Sequence, residues 1–355
     1  TSEFEYKIEG SVATITKFIG NSTDVVVPTY INDTVVSVIG NRAFENCTEL
    51  KNITLTDGYI KTIEGGAFYN CTGLTSVVIP DSVQSMGIET FAGCSNLESL
   101  TIPFIGSQRV LKNVEPFNYI FDGDCPNSLT SVTVTDGEIH SHSFADCSYI
   151  EKIEILSKVK IIGPEAFRNC SNLIDLILPD TIERIYWDSL TNCGNLRLTT
   201  YNDCQYLGSA SNPFFVAVKY IGTDECYCLN EKTKIIYDSA FAKNEMLKSI
   251  TIPNGTLQIG EHAFELCTNL EQAIAPDSVK YIGFNAFSNC IKLTNINLGA
   301  NLIEIEYNAF FYCQELQEIT IPQNVIHVGQ DAFANCDKLS KVYWNAIQCE
   351  YAGNW

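Results

Sequence analysis

The stretch Ala286-Phe287-Ser288-Asn289-Cys290-Ile291-Lys292-Leu293 runs on through Ile296-Asn297-Leu298, Leu302 and Ile305 to Ala309-Phe310, where the same order starts again. The next copy carries Leu316, Ile319-Thr320-Ile321-Pro322, Val325, Val328-Gly329 and Ala332-Phe333. Outward from here, a Phe, in most copies preceded by Ala or Ser and followed by Cys three residues on, recurs at Phe44, Phe68, Phe91, Phe121, Phe144, Phe167, Phe241, Phe264, Phe287, Phe310 and Phe333. The separations are 24, 23, 30, 23, 23, 74, 23, 23, 23 and 23. Self-similarity at a fixed period of this size is the signature of a solenoid, and a chain spent on one repeated unit has few residues left for a catalytic pocket.

Aligned beneath one another, the copies give the line L-x-x-I-x-I-P-x-x-V-x-x-I-G-x-x-A-F-x-x-C. Its Ile-x-Ile part alternates with period two, so the outer residues face a core and the middle one faces out, and Pro then ends the strand because it cannot donate to a ladder. Stacked on its copies, this strand builds a parallel sheet. The Val-x-x-Ile-Gly part is a second extended pass, with Gly offering a tight corner before Ala-Phe, which is expected to form a single helical or 3₁₀ turn.

This line resembles the BspA-like leucine-rich repeat family of bacterial and some protist surface proteins, over roughly residues 36–345. The resemblance implies a leucine-rich-repeat solenoid, horseshoe-like α/β but mostly β, curved and right-handed, with stacked short parallel strands. It also implies attachment or ligand binding at the cell exterior, in a secreted or cell-surface protein, and no catalytic chemistry. About 12 turns are expected from the spacing.

Residues 1–35 read as an N-terminal β cap: Phe4, Tyr6 and Ile8 alternate, a Glu9-Gly10 turn follows, and Val12, Ile15 and Phe18 complete a hairpin over the first open turn. The repeats fill 36–345, and 346–355 read as a tail without a clear capping unit, so the chain is expected to continue in its parent protein. Two units are irregular. One, near 103–125, holds seven surplus residues from Pro103-Phe104 to Phe117-Asn118-Tyr119. The other, near 202–232, follows a copy in which Leu190 replaces Phe and contains Ser211-Asn212-Pro213-Phe214-Phe215 and Cys226-Tyr227-Cys228. Each insertion is either a packed loop that repairs the register or a protruding contact loop.

With 22 Lys plus Arg against 42 Asp plus Glu, the formal charge is −20, which repels phosphate backbones and anionic membranes. Nucleic acid is therefore not expected as a partner, and no apolar run is long enough for a membrane helix. Of the 15 cysteines, ten (Cys47, Cys71, Cys94, Cys147, Cys170, Cys193, Cys267, Cys290, Cys313 and Cys336) share one slot of the repeat and read as a ladder of buried free thiols. Cys125, Cys204, Cys226, Cys228 and Cys349 lie outside it, and Cys204 with Cys226 or Cys228 could close the second irregular unit.

No catalytic residues, metal or cofactor are expected. The His140-x-His142 pair with Asp146 or Cys147 is a weak zinc pattern, and Asp122-Gly123-Asp124 lacks the remaining ligands of a calcium loop. What remains is surface. The outward column Thr54, Val78, Thr101, Thr133, Glu154, Ile177, Thr199, Thr251, Ile274, Asn297, Thr320 and Tyr343 is uncharged except for Glu154. Such a face on an acidic chain suits a host or microbial surface protein or a glycan, with Phe104 and Phe117 of the insertion as a competing contact. The chain is expected to be a monomer, a non-catalytic adhesion or binding module or else a passive spacer.

Overall fold

The computed structural model of the chain describes residues 3–109, 115–156 and 158–351. It is a mostly β parallel solenoid of about 14 turns, and among the described residues helix is confined to one 3₁₀ turn, Phe117–Phe121. The chain divides into two compact units, Thr1–Thr181 with Asp188–Arg197, and Ile182–Trp187 with Leu198–Trp355.

In the first unit the Ile-x-Ile stretches form the parallel strands Ser76–Val78, Ser99–Ile102, Ser131–Val134, Lys152–Ile155 and Asp175–Ile177. Val77, Leu100, Val132, Ile153 and Leu176 point inward and are buried, as the period of two requires. The second pass supplies a separate parallel run, Thr34–Ile39, Thr62–Ile63 and Ser85–Met86. The hairpin is present: Phe4–Glu9 pairs antiparallel with Val12–Phe18 around left-handed Gly10, and Val12–Phe18 continues in parallel onto Thr34–Ile39. Phe4 is buried against Phe18, whereas Tyr6 and Ile8 stay exposed on this edge strand. The segment expected to be only a cap carries a rung of its own, Asp24–Val26 parallel to Asn52–Thr54, which helps to take the turns above the expected 12.

The second unit opens with antiparallel strands, Thr199–Tyr201, Cys204–Leu207 and Val216–Tyr220, and then resumes parallel stacking through Ile235–Ile236, Gln258–Ile259, Tyr281–Ile282, Glu304–Ile305 and His327–Val328. Its other face holds Cys226–Cys228, Ser249–Thr251, Gln272–Ile274 and Asn295–Asn297 in one parallel sheet, and Glu318–Ile321 paired with Lys341–Trp344.

Each unit is threaded by a column of rings. Phe18, Phe44, Phe68 and Phe91 stack at 5.3–5.4 Å in the first unit, and Tyr220, Phe241, Phe264, Phe287, Phe310 and Phe333 at 5.0–5.3 Å with interplanar angles of 2–20° in the second. Ring pairs of this kind contribute roughly 0.5–1.5 kcal/mol each beyond their buried area. The first insertion serves the same column: Phe117 adds a ring 5.4 Å from Phe121 and 4.9 Å from Phe144. Its described residues pack inward, with Phe104 and Phe117 each only 1% exposed.

The Ala-Phe corner is not the helical or 3₁₀ turn expected. The amides of Arg42, Phe44 and Asn46 donate to the carbonyls of Gly65, Ala67 and Tyr69 in the next turn, while those of Ala43, Glu45 and Cys47 bond three residues back. Ser239, Phe241 and Lys243 repeat this toward Glu261, Ala263 and Glu265. In a helix every amide points along the axis, so sending alternate ones sideways needs left-handed residues two before and two after the Phe, as at Arg42 (φ 53°), Asn46 (φ 60°), His262 (φ 54°) and Leu266 (φ 60°). The corner is a third parallel ladder.

The glycine of the second pass also has a different reason from the one expected. A Cβ on Gly87, Gly163 or Gly329 would lie 2.2–2.4 Å from backbone atoms of the preceding turn, so the requirement is close approach of neighbouring turns.

Candidate binding face

The outward column is hydrogen-bonded in runs, from Val78 to Ile177 in the first unit and from Cys228 to Asn297 and Thr320 to Tyr343 in the second, while Thr54 pairs with Val26. Val78, Thr101, Thr133, Glu154 and Ile177 are lateral neighbours in the first; Val78 is 57% exposed, and the other four are partly covered. Glu154, the one charge in the column, is held by Lys152 two residues earlier on the same face, at 2.9 Å. In the second unit Cys228, Thr251, Ile274 and Asn297 are in register, as are Thr320 and Tyr343, and all six are exposed. Ile274 at 61% and Tyr343 at 50% give this stretch its apolar contact surface.

Three of the expected site residues are corrected. Thr199 is exposed but pairs antiparallel with Tyr206, because the hairpin that opens the second unit interrupts parallel stacking there; Cys228 takes the rung beside Thr251 instead. Phe104 and Phe117 are core residues and present no ring to a ligand. Cys228 was legible as the middle residue of Tyr227-Cys228-Leu229, a degenerate Ile-x-Ile, but the Cys-x-Cys pattern drew attention to disulfides instead.

The cysteine slot has a specific cause. The thiols of Cys71, Cys94, Cys170, Cys193, Cys267, Cys290, Cys313 and Cys336 each donate to the Phe carbonyl of the preceding turn, at 3.0–3.2 Å. Burial pushes Cys94 and Cys267 up to about 12 and Cys193 up to about 11, so these thiols are neutral and inert. Cys204 is buried beside Tyr206 and Tyr227 while Cys226 and Cys228 face solvent, and all three are free thiols.

Among the described residues no three His, Cys, Asp or Glu side chains converge on a metal position. His140 lies 3.7 Å from Glu138, and His142 lies 3.4 Å from Glu165. Asp122 is the left-handed residue ending the 3₁₀ turn. The second unit holds one elaborate polar cluster: Arg184 donates to Glu304 at 2.6 Å and Glu306 at 2.9 Å, with its guanidinium 4.1 and 4.4 Å from the rings of Tyr186 and Tyr281. The Gln258 amide pairs with both backbone groups of Ile185, at 2.8 and 2.7 Å. These partners satisfy one another, so the cluster reads as a structural clamp.

Six copies of the BspA type leucine rich repeat region match the chain over residues 26–112, 118–212 and 234–352. The chain belongs to this family of leucine-rich repeat proteins. Among solved structures it is similar to a leucine rich cell surface protein of Faecalibacterium prausnitzii, with 21% identity over 97% of this chain and 93% of that one and a TM-score of 0.33. A leucine-rich repeat protein of Bacteroides ovatus matches with 24% identity over 96% and 92%, at a TM-score of 0.37. No curated protein sequence matches the chain.

Proposed function

We propose that the chain is a non-catalytic binding module of a secreted or cell-surface protein, and that it holds a protein or glycan on the strand face of the second unit. The residues in contact are Thr251, Ile274, Asn297, Thr320 and Tyr343. The observation that carries this reading is the run of exposed, uncharged side chains there, with Ile274 61% and Tyr343 50% exposed, on a chain of net charge −20. A passive spacer needs a uniformly polar exterior, and these two side chains disfavour it. Glu154, Ile177 and the rest of the first unit's column form a second, more covered surface.

The test begins with a glycan and extracellular-matrix array probed with the protein. Thr251→Arg and Thr320→Glu put charge into the column on side chains that do not enter the core, so binding should drop at least tenfold while the fold is kept. Gln330→Arg, at an exposed corner position, should leave binding intact. A ligand retained by both column variants would move the site elsewhere.

A further inference from the structure

The spacing sets Cys125 outside the ladder, four residues after Phe121 instead of three. In the fold, left-handed Asp122 (φ 65°) and Gly123 (φ 102°) carry the longer connection round the corner. Cys125 Sγ then lies 3.5 Å from Sγ of Cys147, the next ladder thiol. Cys147 thus meets a second sulfur where eight other ladder thiols meet a Phe carbonyl. Cys147 is buried, and half-buried Cys125 opens onto a hollow of about 330 Å³ whose lining includes Asn118, Asp124, Asn127, Asp146 and Tyr149.

We infer that Cys125 and Cys147 form a thiol-modification site that reacts with a small cationic or neutral disulfide and closes into an intrachain disulfide. The Cys125 thiolate attacks one sulfur of the disulfide RSSR, forming a mixed disulfide and releasing RS⁻. Cys147 then attacks Cys125 Sγ and displaces the second RS⁻, which takes up the Cys147 proton; contact with Cys125 and burial raise the Cys147 thiol above its ordinary value, so this step is the slower of the two. The two protein thiols lose two electrons and two protons, and RSSR becomes two RSH. Access sets the order: both thiols line the hollow, but Cys125 is half-buried whereas Cys147 is 5% exposed. Closing 3.5 Å to a bond of about 2.0 Å needs a side-chain shift on the order of an ångström, which a half-buried residue in a turn can make. Asp124 and Asp146 set the selectivity: two carboxylates within a Debye length repel an anionic disulfide and attract a cationic one.

The test uses a Cys47→Ser, Cys226→Ser, Cys228→Ser, Cys349→Ser background, which leaves Cys125 as the one thiol that is not buried. Treated with cystamine, the folded protein should lose two hydrogens in mass, and peptide mapping should find Cys125 joined to Cys147. Oxidised glutathione should react at least severalfold more slowly at low salt, with the gap narrowing at high salt. Cys147→Ser should hold a stable mixed disulfide on Cys125, and Cys125→Ser should leave Cys147 unmodified. The wild-type map alone decides the point if either variant fails to fold. A mixed disulfide that persists on Cys125 beside Cys147, a bond from Cys125 to another cysteine, or no reaction at Cys125 would each overturn the assignment, and equal rates for the two disulfides would remove the charge selection.

Discussion

A left-handed residue on either side of the Phe, in copies other than that of Phe121, lets alternate corner amides reach the next turn, and at the position after the Phe the sequence supplies residues that tolerate that conformation cheaply in most copies. Asn46, Asn70, Gly93, Gly123, Asp146, Asn169, Asn289 and Asn335 fill the position two after the Phe, and Asn192 the same position after Leu190. Lys243 (φ 62°), Leu266 (φ 60°) and Tyr312 (φ 63°) do not suit it, and such residues pay roughly 1–2 kcal/mol there. Tyr312→Asn should therefore raise stability by about 1 kcal/mol, read as a higher urea midpoint at unchanged slope; a lower midpoint would mean that the ring's packing outweighs the backbone strain. The ladder thiols give a second residue-scale expectation. Cys94 and Cys267 titrate near 12 when folded, against an ordinary value of 9.0. Between those values the unfolded chain has released these protons and the folded chain has kept them, so stability falls as pH rises from about 9 toward 12, by at most about 1.4 kcal/mol per pH unit per thiol. Serine at both positions keeps a donor for the Phe carbonyl without titrating in this range. The double Ser variant should lose less of its urea midpoint between pH 8 and pH 10 than the parent, and an equal loss would reject buried thiols as the cause.

At the scale of the repeat, stability lies in contacts between consecutive turns. Phe287 is fully buried between Phe264 and Phe310, and Phe287→Ala should cost roughly 3–5 kcal/mol, seen as a sharply lower denaturant midpoint. Gly329→Ala tests the other contact: its Cβ would sit 2.4 Å from the backbone nitrogen of Tyr307, which cannot swing aside like a side chain, so a loss of about 1–3 kcal/mol is expected. A neutral result would show that the turns can separate locally. The strands, the Phe column and the buried cysteines were legible because eleven copies repeat one pattern of inward and outward positions. The corner was not, because Ala-Phe-x-x-Cys has the spacing of a helical turn and the left-handed pair shows only when the Asn before Cys is read for backbone conformation. The insertions misled for a related reason. Phe104 and Phe117 lie in surplus sequence and looked available for contact, yet an apolar ring beside an open column is better buried in it, and the position of Cys125 depends on a one-residue slip that only the fold absorbs.

Over the whole chain, 42 acidic against 22 basic side chains leave a net charge of −20 that local pairing does not remove. Apart from a few, such as the Arg184 clamp, the pairs are between solvent-accessible groups, such as Lys248 with Glu225 at 2.9 Å, and pairs of this kind contribute little, at most about 1 kcal/mol each. Long-range repulsion should therefore dominate the response to salt. Raising sodium chloride from about 10 to about 150 mM shortens the screening length from about 30 to about 8 Å, and the urea midpoint should rise; a fall would show that the ion pairs outweigh the net charge. The same titration bears on recognition. Thr251, Ile274, Asn297, Thr320 and Tyr343 carry no charge, so a ligand seated on them alone should bind with nearly the same affinity at both salt concentrations, because apolar and neutral hydrogen-bonded contacts are not screened. A basic partner drawn to the surrounding carboxylates should instead lose affinity steeply with salt, mainly through a slower association rate. A ligand that behaves in the second way, and that still binds Thr320→Glu, makes its contacts off the column.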